Sequence, residues 1–215
     1  MGQKVNPHVI RLGTVFSWSS RWFDEKKYKE TLLQDYTLRK MLMNKLKAAG
    51  IAKVEIERSI NSLKIIIFVS RPGIVIGRGG SGLEDLKKTI TKFFTQQKAG
   101  AGIPKLDIRV EPVKEPNLDS YLVATNISDQ LIRRLPYKRI LVSTAERVMS
   151  SGAKGVKILL TGRIAGSEIA RREKIHIGTV PLSTIRENIS YTSYPSLTKK
   201  GYIGIKVWIN KPEEK

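Results

Sequence analysis

Apolar residues recur at helical spacing in the segment that begins at Tyr28. The members of this stripe are Leu38, Leu42, Leu46 and Ala49. Residues three or four apart lie on one face of a helix, so the pattern predicts a helix with one buried face. Gly50 is placed to end its last turn, because glycine readily adopts the left-handed conformation that closes many helices.

Beyond Gly50 the apolar spacing shortens to two, which is typical of strands. Val54 and Ile56 alternate with acidic residues, and Asn61 and Ser62 offer a turn. A second strand face follows at Leu63, Ile65, Ile67 and Val69. The two runs therefore predict a hairpin. After a glycine-rich loop over 96–104, a third strand is predicted at Leu106, Ile108 and Val110.

The second half of the chain shows helical spacing on both sides of Pro136, which predicts two helices separated by the proline. Its apolar positions are Leu118, Leu122, Ile127, Leu131 and Leu135 before the proline, and Ile140, Val148 and Met149 after it. Strand spacing follows at Val156, Ile158 and Leu160, and again at Ile203, Ile205, Val207 and Ile209. The chain is therefore predicted to belong to the α+β class, with two unlike domains.

The domain boundaries follow from proline positions and from loss of periodicity. Pro112 and Pro116 break the chain between the two patterned halves. The predicted division is an extended basic arm over 1–27, one domain over 28–112, a second α+β domain over 118–210 and a polar tail over 211–215.

The charge balance is strongly basic. The 215 residues include 39 Lys plus Arg and 19 Asp plus Glu, which gives a formal net charge of +20. Such an excess opposes folding by self-repulsion unless a polyanion neutralises it, and phosphate backbones are the commonest partner of this kind. The composition therefore favours a nucleic-acid-binding protein.

Composition also excludes several kinds of chemistry. The chain has no cysteine and only two histidines, so disulfides, thiolate metal sites and a site with three histidine ligands are ruled out. His176 has no nucleophile motif around it, so we interpret it as a surface or RNA-facing residue. No apolar run approaches the ~20 residues of a membrane span. We predict no catalytic residue, metal or cofactor, no membrane partner, and a soluble, unexported chain.

A glycine-rich loop carries the clearest candidate site. Gly77, Arg78, Gly79 and Gly80 form a GxxG sequence, called the GxxG loop below. Glycines let a phosphate backbone approach main-chain N–H groups, and an arginine adds a charged contact. Helical segments flank the loop beside a hairpin, as in KH modules that bind single-stranded nucleic acid. Arg71, Lys87 and Lys88 are further candidate RNA contacts.

Other interpretations of this loop remain open at the level of sequence. Gly77, Gly79 and Gly82 also match the GxGxxG pattern of dinucleotide-binding enzymes. However, the run before the loop is a poor buried strand, and no acid stands about 20 residues further on. A glycine-rich turn without a ligand is the third possibility, whereas the Gly-Lys-Ser/Thr of a P-loop is missing.

Two basic clusters mark the second half. The candidate RNA-binding residues there are Arg133, Arg134, Lys138 and Arg139 in the helical region, and Arg163, Arg171, Arg172 and Lys174 in a glycine- and arginine-rich segment. A solvated helix face is the ordinary explanation for such a cluster. The net charge of +20 favours RNA binding instead.

Several sequence blocks together resemble one family, the bacterial-type ribosomal protein S-three of the small subunit. The blocks are GQKVNP at 2–7, RLG at 11–13, SRW at 20–22, RPGIVIGRGG at 71–80, GAKG at 152–155, GR at 162–163 with EIAR at 168–171, and GYIGIKVWI at 201–209. They occur in the family's order and span nearly the whole chain.

The resemblance implies a specific architecture and set of partners. It implies a type II KH domain followed by a mixed α+β domain, both on the head of the small ribosomal subunit. It further implies a non-enzymatic ribosomal protein that binds 16S-type rRNA, contacts ribosomal proteins S-ten and S-fourteen, and shares in the mRNA entrance channel. The location would be a cytoplasmic or organellar ribosome.

The chain departs from the family pattern at three positions. Family members commonly carry a second basic pair one helical turn after Lys138 and Arg139, where this chain has Val142 and Ser143. That pair is associated with unwinding of structured mRNA, so the role is weakened here. Ser190 stands where an acid is usual. A free KH-type regulator of single-stranded RNA, and a nucleotide-dependent or nucleic-acid-cleaving enzyme, are the alternative functions.

Overall fold

The structure, a computed structural model, describes residues 4–59, 62–97 and 105–212. These residues form two compact units, one made of residues 18–114 and the other of residues up to 17 together with those from 115 onwards. We call them the first unit and the second unit. The predicted turn at Asn61, most of the predicted loop over 96–104 and the end of the predicted tail lie outside the described residues.

The first unit contains a mixed sheet and three α-helices among its described residues. Its elements are β1 (Ser20–Arg21), α1 (Tyr28–Lys45), β2 (Ile51–Arg58), β3 (Ser62–Val69), α2 (Pro72–Ile76), α3 (Ser81–Gln97) and β4 (Lys105–Pro112). The strand order is β1-β2-β3-β4, in which β2 and β3 are antiparallel while β1 and β4 run parallel to their neighbours. The predicted helix, hairpin and third strand are confirmed.

The core of the first unit lies between this sheet and its helices. The predicted stripe of α1 is buried, with Leu38 and Leu42 fully inaccessible to solvent. From α3, Leu86 and Ile90 pack into the same core, which also contains Ile65 of β3. This packing fixes where α3 begins, and therefore where the GxxG loop lies.

A buried carboxylate ties the start of the first unit to its sheet. Asp35 of α1 accepts hydrogen bonds from Ser20 Oγ at 2.9 Å, from Trp22 Nε1 at 2.8 Å and from Arg58 Nε at 2.8 Å. A buried charge is tolerated when it is paired and hydrogen-bonded in this way. The network holds the segment that precedes α1 against β2.

The second unit has two helices on one face of an antiparallel sheet. Its elements are a 3-10 helix (Val9–Arg11), α4 (Ser120–Ile132), α5 (Tyr137–Ser150), β5 (Gly155–Gly162), β6 (Arg171–Gly178), β7 (Ile189–Thr198) and β8 (Gly201–Asn210), with shorter turns between them. The sheet order is β6-β5-β8-β7. The two predicted helices, β5 and β8 are confirmed.

The strands β6 and β7 were not predicted as strands. Ile175 and Ile177 of β6 do alternate with polar residues and pack against the core. The many basic residues around them made this alternation hard to recognise in the sequence. In β7 the positions that face the helices are largely hydroxyl-bearing. Ser190 accepts a hydrogen bond from the Ser120 main-chain N–H at 3.2 Å and donates one to Ser120 Oγ at 2.8 Å, at the start of α4.

The predicted extended arm over 1–27 is revised by the structure. Residues 4–17 belong to the second unit, whereas β1 belongs to the first. Arg11 explains the difference, because its side chain is fully buried in the second unit. Its guanidinium donates to the main-chain oxygens of Pro7, Pro181, Leu182, Thr184 and Glu187.

Candidate nucleic-acid interface

The GxxG loop forms an exposed connection between α2 and α3. Gly77, Gly79 and Gly80 adopt positive φ angles of 71°, 61° and 83°, a region that residues with a Cβ rarely occupy. Arg78 is exposed between them. The loop can therefore approach a phosphate closely through its main chain while Arg78 supplies a positive charge.

Gly82 brings the two flanking helices together. A Cβ at this position would lie 2.5 Å from the main-chain oxygen of Val75 and 3.0 Å from that of Ile76. Ser81 Oγ donates a hydrogen bond of 3.0 Å to the Arg78 main-chain oxygen, which holds the loop against the first turn of α3. The close packing of α2 on α3 thus determines the conformation of the GxxG loop.

The surroundings of the loop combine apolar and cationic side chains. Ile74 and Ile76 of α2 are 52% and 39% exposed, respectively, which is unusual for isoleucine and offers apolar surface to nucleic-acid bases. Lys87 and Lys88 lie exposed on α3, and Arg71 is exposed at the start of α2. The structure therefore places the predicted contacts of the first unit on the loop and the two helices that flank it.

The dinucleotide-binding interpretation of the loop is wrong. Residues Ile74 and Ile76 lie in helix α2, where that fold requires a strand. The strands that precede the loop, β2 and β3, form an antiparallel hairpin, whereas the dinucleotide fold needs parallel strands joined by a helix.

Four basic residues lie close together in sequence at the junction of α4 and α5. Arg133 and Arg134 follow the last turn of α4, where positive charge is favourable, and Lys138 and Arg139 stand in the first turn of α5. All four are exposed. Cations at a helix N-terminus oppose the helix dipole, so the pair in α5 is better explained by an external anion than by helix stability.

The sheet of the second unit has a cationic face that points away from its helices, made of Lys157, Arg172, Lys174 and Lys206 and called the basic sheet face below. Strand pairing aligns Lys174 and Lys206 on either side of Leu159. The Lys157 ammonium lies 5.3 Å from the ring centre of Trp208. Lys157 and Lys206 were not predicted, although their alternation with buried residues of β5 and β8 was visible in the sequence.

The positive charges of the basic sheet face repel one another. Burial is the largest cause that lowers the pKa of the Lys157 ammonium below its usual value. The positive charges of Lys4, Lys174 and Arg172 lower the same pKa further. A phosphate group bound at this face would relieve that repulsion, because opposite charge stabilises the protonated form.

The other basic residues that were predicted to bind RNA lie on different surfaces of the second unit. Arg171 alternates with Arg172 along β6, so the two side chains point to opposite faces of the sheet. Arg163 and Arg134 both line a cavity between the α4–α5 turn and the β7–β8 turn. His176 is exposed on the edge strand β6.

The described parts of the chain contain no group of three or more His, Cys, Asp or Glu side chains that could hold a metal ion. None of their helices is long and apolar enough to cross a lipid bilayer.

Comparison with known proteins identifies the class to which this fold and loop belong. The family model of the KH domain matches residues 37–118, and the family model of the ribosomal protein S3 C-terminal domain matches residues 127–209. From α1 onwards, the helix–strand–strand–helix–helix–strand order of the first unit is that of a type II KH domain. The chain is therefore an RNA-binding protein of the KH class with a second α+β domain, as predicted.

Full-length relatives narrow the class to one family. The small ribosomal subunit protein uS3 of Desulfosudis oleivorans is 46% identical over 213 residues, which cover 99% of this chain and 96% of that protein. The uS3 protein of Lachnoclostridium phytofermentans is 43% identical over 209 residues, with coverages of 97% and 92%. The chain belongs to the ribosomal protein S3 family, whose members are structural ribosomal proteins and not enzymes.

Proposed function

We propose that this chain is a structural constituent of the head of the small ribosomal subunit in bacterial cytoplasm, where it binds 16S-type rRNA and helps to form the mRNA entrance channel. The observation that carries the proposal is the exposed GxxG loop, held between α2 and α3 of a KH domain. The chain aligns with small-subunit proteins over almost their whole length.

The GxxG loop supports binding to a single-stranded RNA backbone. Main-chain N–H groups of Gly79 and Gly80 are accessible because neither residue carries a side chain, and a Cβ at either would meet nothing within 4 Å. Arg78 adds a charge-assisted hydrogen-bond donor. The bases of the bound strand would then lie against Ile74 and Ile76.

The start of α5 supports a position at the mRNA entrance channel. Lys138 and Arg139 are exposed there, and Val142 and Ser143 follow one turn later on the same face of the helix. Cations in this row face the phosphates of incoming mRNA. Because Val142 and Ser143 are neutral, we infer that the row is shorter than in relatives and that unwinding of structured mRNA is weaker.

An apolar surface on α1 supports contacts with ribosomal proteins S-ten and S-fourteen. Leu32, Leu33 and Tyr36 are 46%, 54% and 63% exposed, respectively, and Tyr28 lies about one turn before Leu32. Exposed apolar patches of this kind mark protein–protein contacts. We therefore assign α1 to protein neighbours and the GxxG loop to RNA.

Sedimentation tests the proposal directly. The chain is expressed with an affinity tag in a bacterium in place of that organism's own uS3, and cell extract is centrifuged at high salt. We expect the chain in the small-subunit fraction, because a ribosomal constituent is held by many simultaneous contacts. A chain found only in the free-protein fraction would indicate a free KH-type regulator and contradict the proposal.

A further inference from the structure

The second unit contains a cavity beside the basic residues at the α4–α5 junction. It lies between the α4–α5 turn, the turn that follows β5 and the β7–β8 turn, and its volume is about 370 Å³. That volume is within the roughly 300–1,000 Å³ of small-molecule sites. We call it the α4–α5 cavity.

The floor of the α4–α5 cavity is apolar and carries an aromatic ring. It is formed by Leu135, Pro136, Tyr137 and Ile203, of which Leu135 is 49% exposed. Tyr137 is only partly buried and packs against the core of the unit on its other side. A flat ligand ring can therefore stack in this cavity against Tyr137, whose other side packs on the core.

The rim of the same cavity is cationic. Arg134, Arg163, Lys199 and Lys200 line it from three separate segments of the chain, and all four are exposed. None of the described residues that line the cavity is Asp or Glu. The rim therefore carries positive charge that its own lining does not neutralise.

Backbone conformation supplies an independent indication of function. The described non-glycine residues with positive φ are Arg134 at 61° and Ala165 at 55°, and both line the α4–α5 cavity. Arg134 ends α4 through the Leu135 N–H to Gln130 oxygen bond of 3.2 Å, at a position that glycine usually occupies. Strained residues of this kind cluster at binding sites, where a side chain is retained despite its conformational cost.

We propose that the α4–α5 cavity binds one unpaired nucleotide of a bound RNA, with the base against Pro136 and Tyr137 and the flanking phosphates at the four rim cations. The proposal rests on the RNA-binding function proposed above and adds a base-binding site to it. A single peptide carboxylate would match one cation, whereas a nucleotide inside a strand presents a phosphate on each side. The distribution of rim charges over three segments fits the nucleotide.

Binding of two single-stranded probes by the full-length chain tests the proposal. One probe is a 12-nucleotide oligouridine, and the other is an abasic ribose-phosphate chain of the same length and charge. Leu135→Glu places a carboxylate in the cavity, and Ile185→Glu is the matched control because Ile185 is 48% exposed and does not line the cavity. We expect Leu135→Glu to weaken oligouridine binding about tenfold more than Ile185→Glu does, because stacking of one base is lost. On the abasic probe the difference between the two variants should be smaller, because only repulsion between the new carboxylate and the phosphates remains.

The strained arginine offers a second measurement. Arg134→Gly relieves the positive φ and removes a rim cation, so we expect an unchanged or higher Tm together with weaker binding of both probes. Ala165→Gly relieves the same kind of strain and keeps every cation, so its binding should be unchanged. Unchanged binding of both probes by Arg134→Gly would overturn the role of Arg134 at the rim, whatever the Tm of that variant.

The outcomes separate failure of the cavity from failure of the broader function. If Leu135→Glu and Ile185→Glu affect both probes equally while the unmodified chain binds RNA, the cavity does not hold a base and the inference is overturned. If the unmodified chain binds neither probe, the proposed RNA-binding function fails and the cavity inference falls with it.

Discussion

Arg11 Nε donates a hydrogen bond of 2.8 Å to the main-chain oxygen of Glu187, a residue 176 positions later in the chain. The same guanidinium reaches the oxygens of Leu182 at 3.1 Å and Thr184 at 2.8 Å. One side chain near the N-terminus therefore fixes the loop between β6 and β7. That loop covers part of the sheet face opposite the helices, where Leu182 packs near Trp208.

We predict that Arg11→Lys destabilises the second unit. Lysine is a compact cation that cannot reach all the carbonyl oxygens held by the planar guanidinium, and buried acceptors left unpaired cost free energy. We expect the free energy of unfolding to fall by about 2–4 kcal/mol. Urea denaturation measures this loss, and amide hydrogen exchange should accelerate at 182–187 but not in β2 and β3. Arg186→Lys, at an exposed neighbouring arginine, is the control and should change neither measurement.

Residue periodicity was enough to predict most elements of both units. The stripe of Leu38 and Leu42, the alternation around Ile65 and the proline between α4 and α5 each depend on neighbours within one or two turns. The GxxG loop was predicted for the same reason, because its glycines and the helix after it are adjacent in sequence. Local rules therefore sufficed wherever the determining residues are close together along the chain.

The features that were missed depend on long-range contacts. Arg11 resembles any surface arginine in the sequence, since four of its five acceptors lie at 181–187. Lys157 and Lys206 join one cationic face only through the pairing of β5 with β8. Arg134 and Arg163 meet at one cavity only because two turns that are distant in sequence lie side by side. No composition or spacing argument could have assembled these groups.

We predict that Arg78→Asp combined with Gly79→Asp weakens binding of single-stranded RNA by the full chain about tenfold, because two negative charges then face phosphates. Aspartate tolerates the positive φ of Gly79 better than most residues, so the fold should persist. Fluorescence anisotropy measures the affinity, and circular dichroism checks folding. Thr37→Asp with Lys40→Asp makes the same charge change on an exposed face of α1. Equal losses in the two double variants would show that the loop has no special role.

We predict a steep salt dependence of RNA binding. If about six phosphates are neutralised, the logarithm of the association constant should fall against the logarithm of salt concentration with a slope of about −4 to −5. Titrations of the full chain at several potassium chloride concentrations measure the slope. A nearly flat dependence would contradict phosphate neutralisation as the main source of affinity.

The lowered pKa of Lys157 predicts how stability changes with pH. The folded chain releases this proton at a lower pH than the unfolded chain, in which lysine titrates near its usual value of about 10.4. Between these two pKa values the unfolded state holds more protons, so the free energy of unfolding should rise with pH. Lys157→Met should flatten this rise in denaturation experiments at alkaline pH. Lys199→Met should keep it, and an identical slope in both variants would contradict the assignment to Lys157.

The final prediction concerns the cation row at the start of α5. Residues three or four apart share a helix face, so Val142→Lys with Ser143→Arg would extend the row that begins at Lys138 and Arg139. If this row separates mRNA strands, ribosomes with the extended row should pass a stable hairpin at the channel entrance faster than ribosomes with the unmodified chain. Ribosomes with Lys138→Ala and Arg139→Ala should pass the hairpin more slowly than ribosomes with the unmodified chain, because fewer cations then face the incoming phosphates.

Elongation rates on hairpin-containing and unstructured mRNAs distinguish unwinding from general damage. Every variant should translate the unstructured mRNA at the same rate, since strand separation is not required there. A variant that lowers the elongation rate equally on both mRNAs would indicate defective ribosome assembly. Lys40→Ala, which removes a cation from the first unit, is the control for such a general effect. Equal hairpin rates in all three ribosomes would exclude α5 as the element that meets structured mRNA. The difference between the two mRNAs is therefore the quantity that depends on charge at positions 138, 139, 142 and 143.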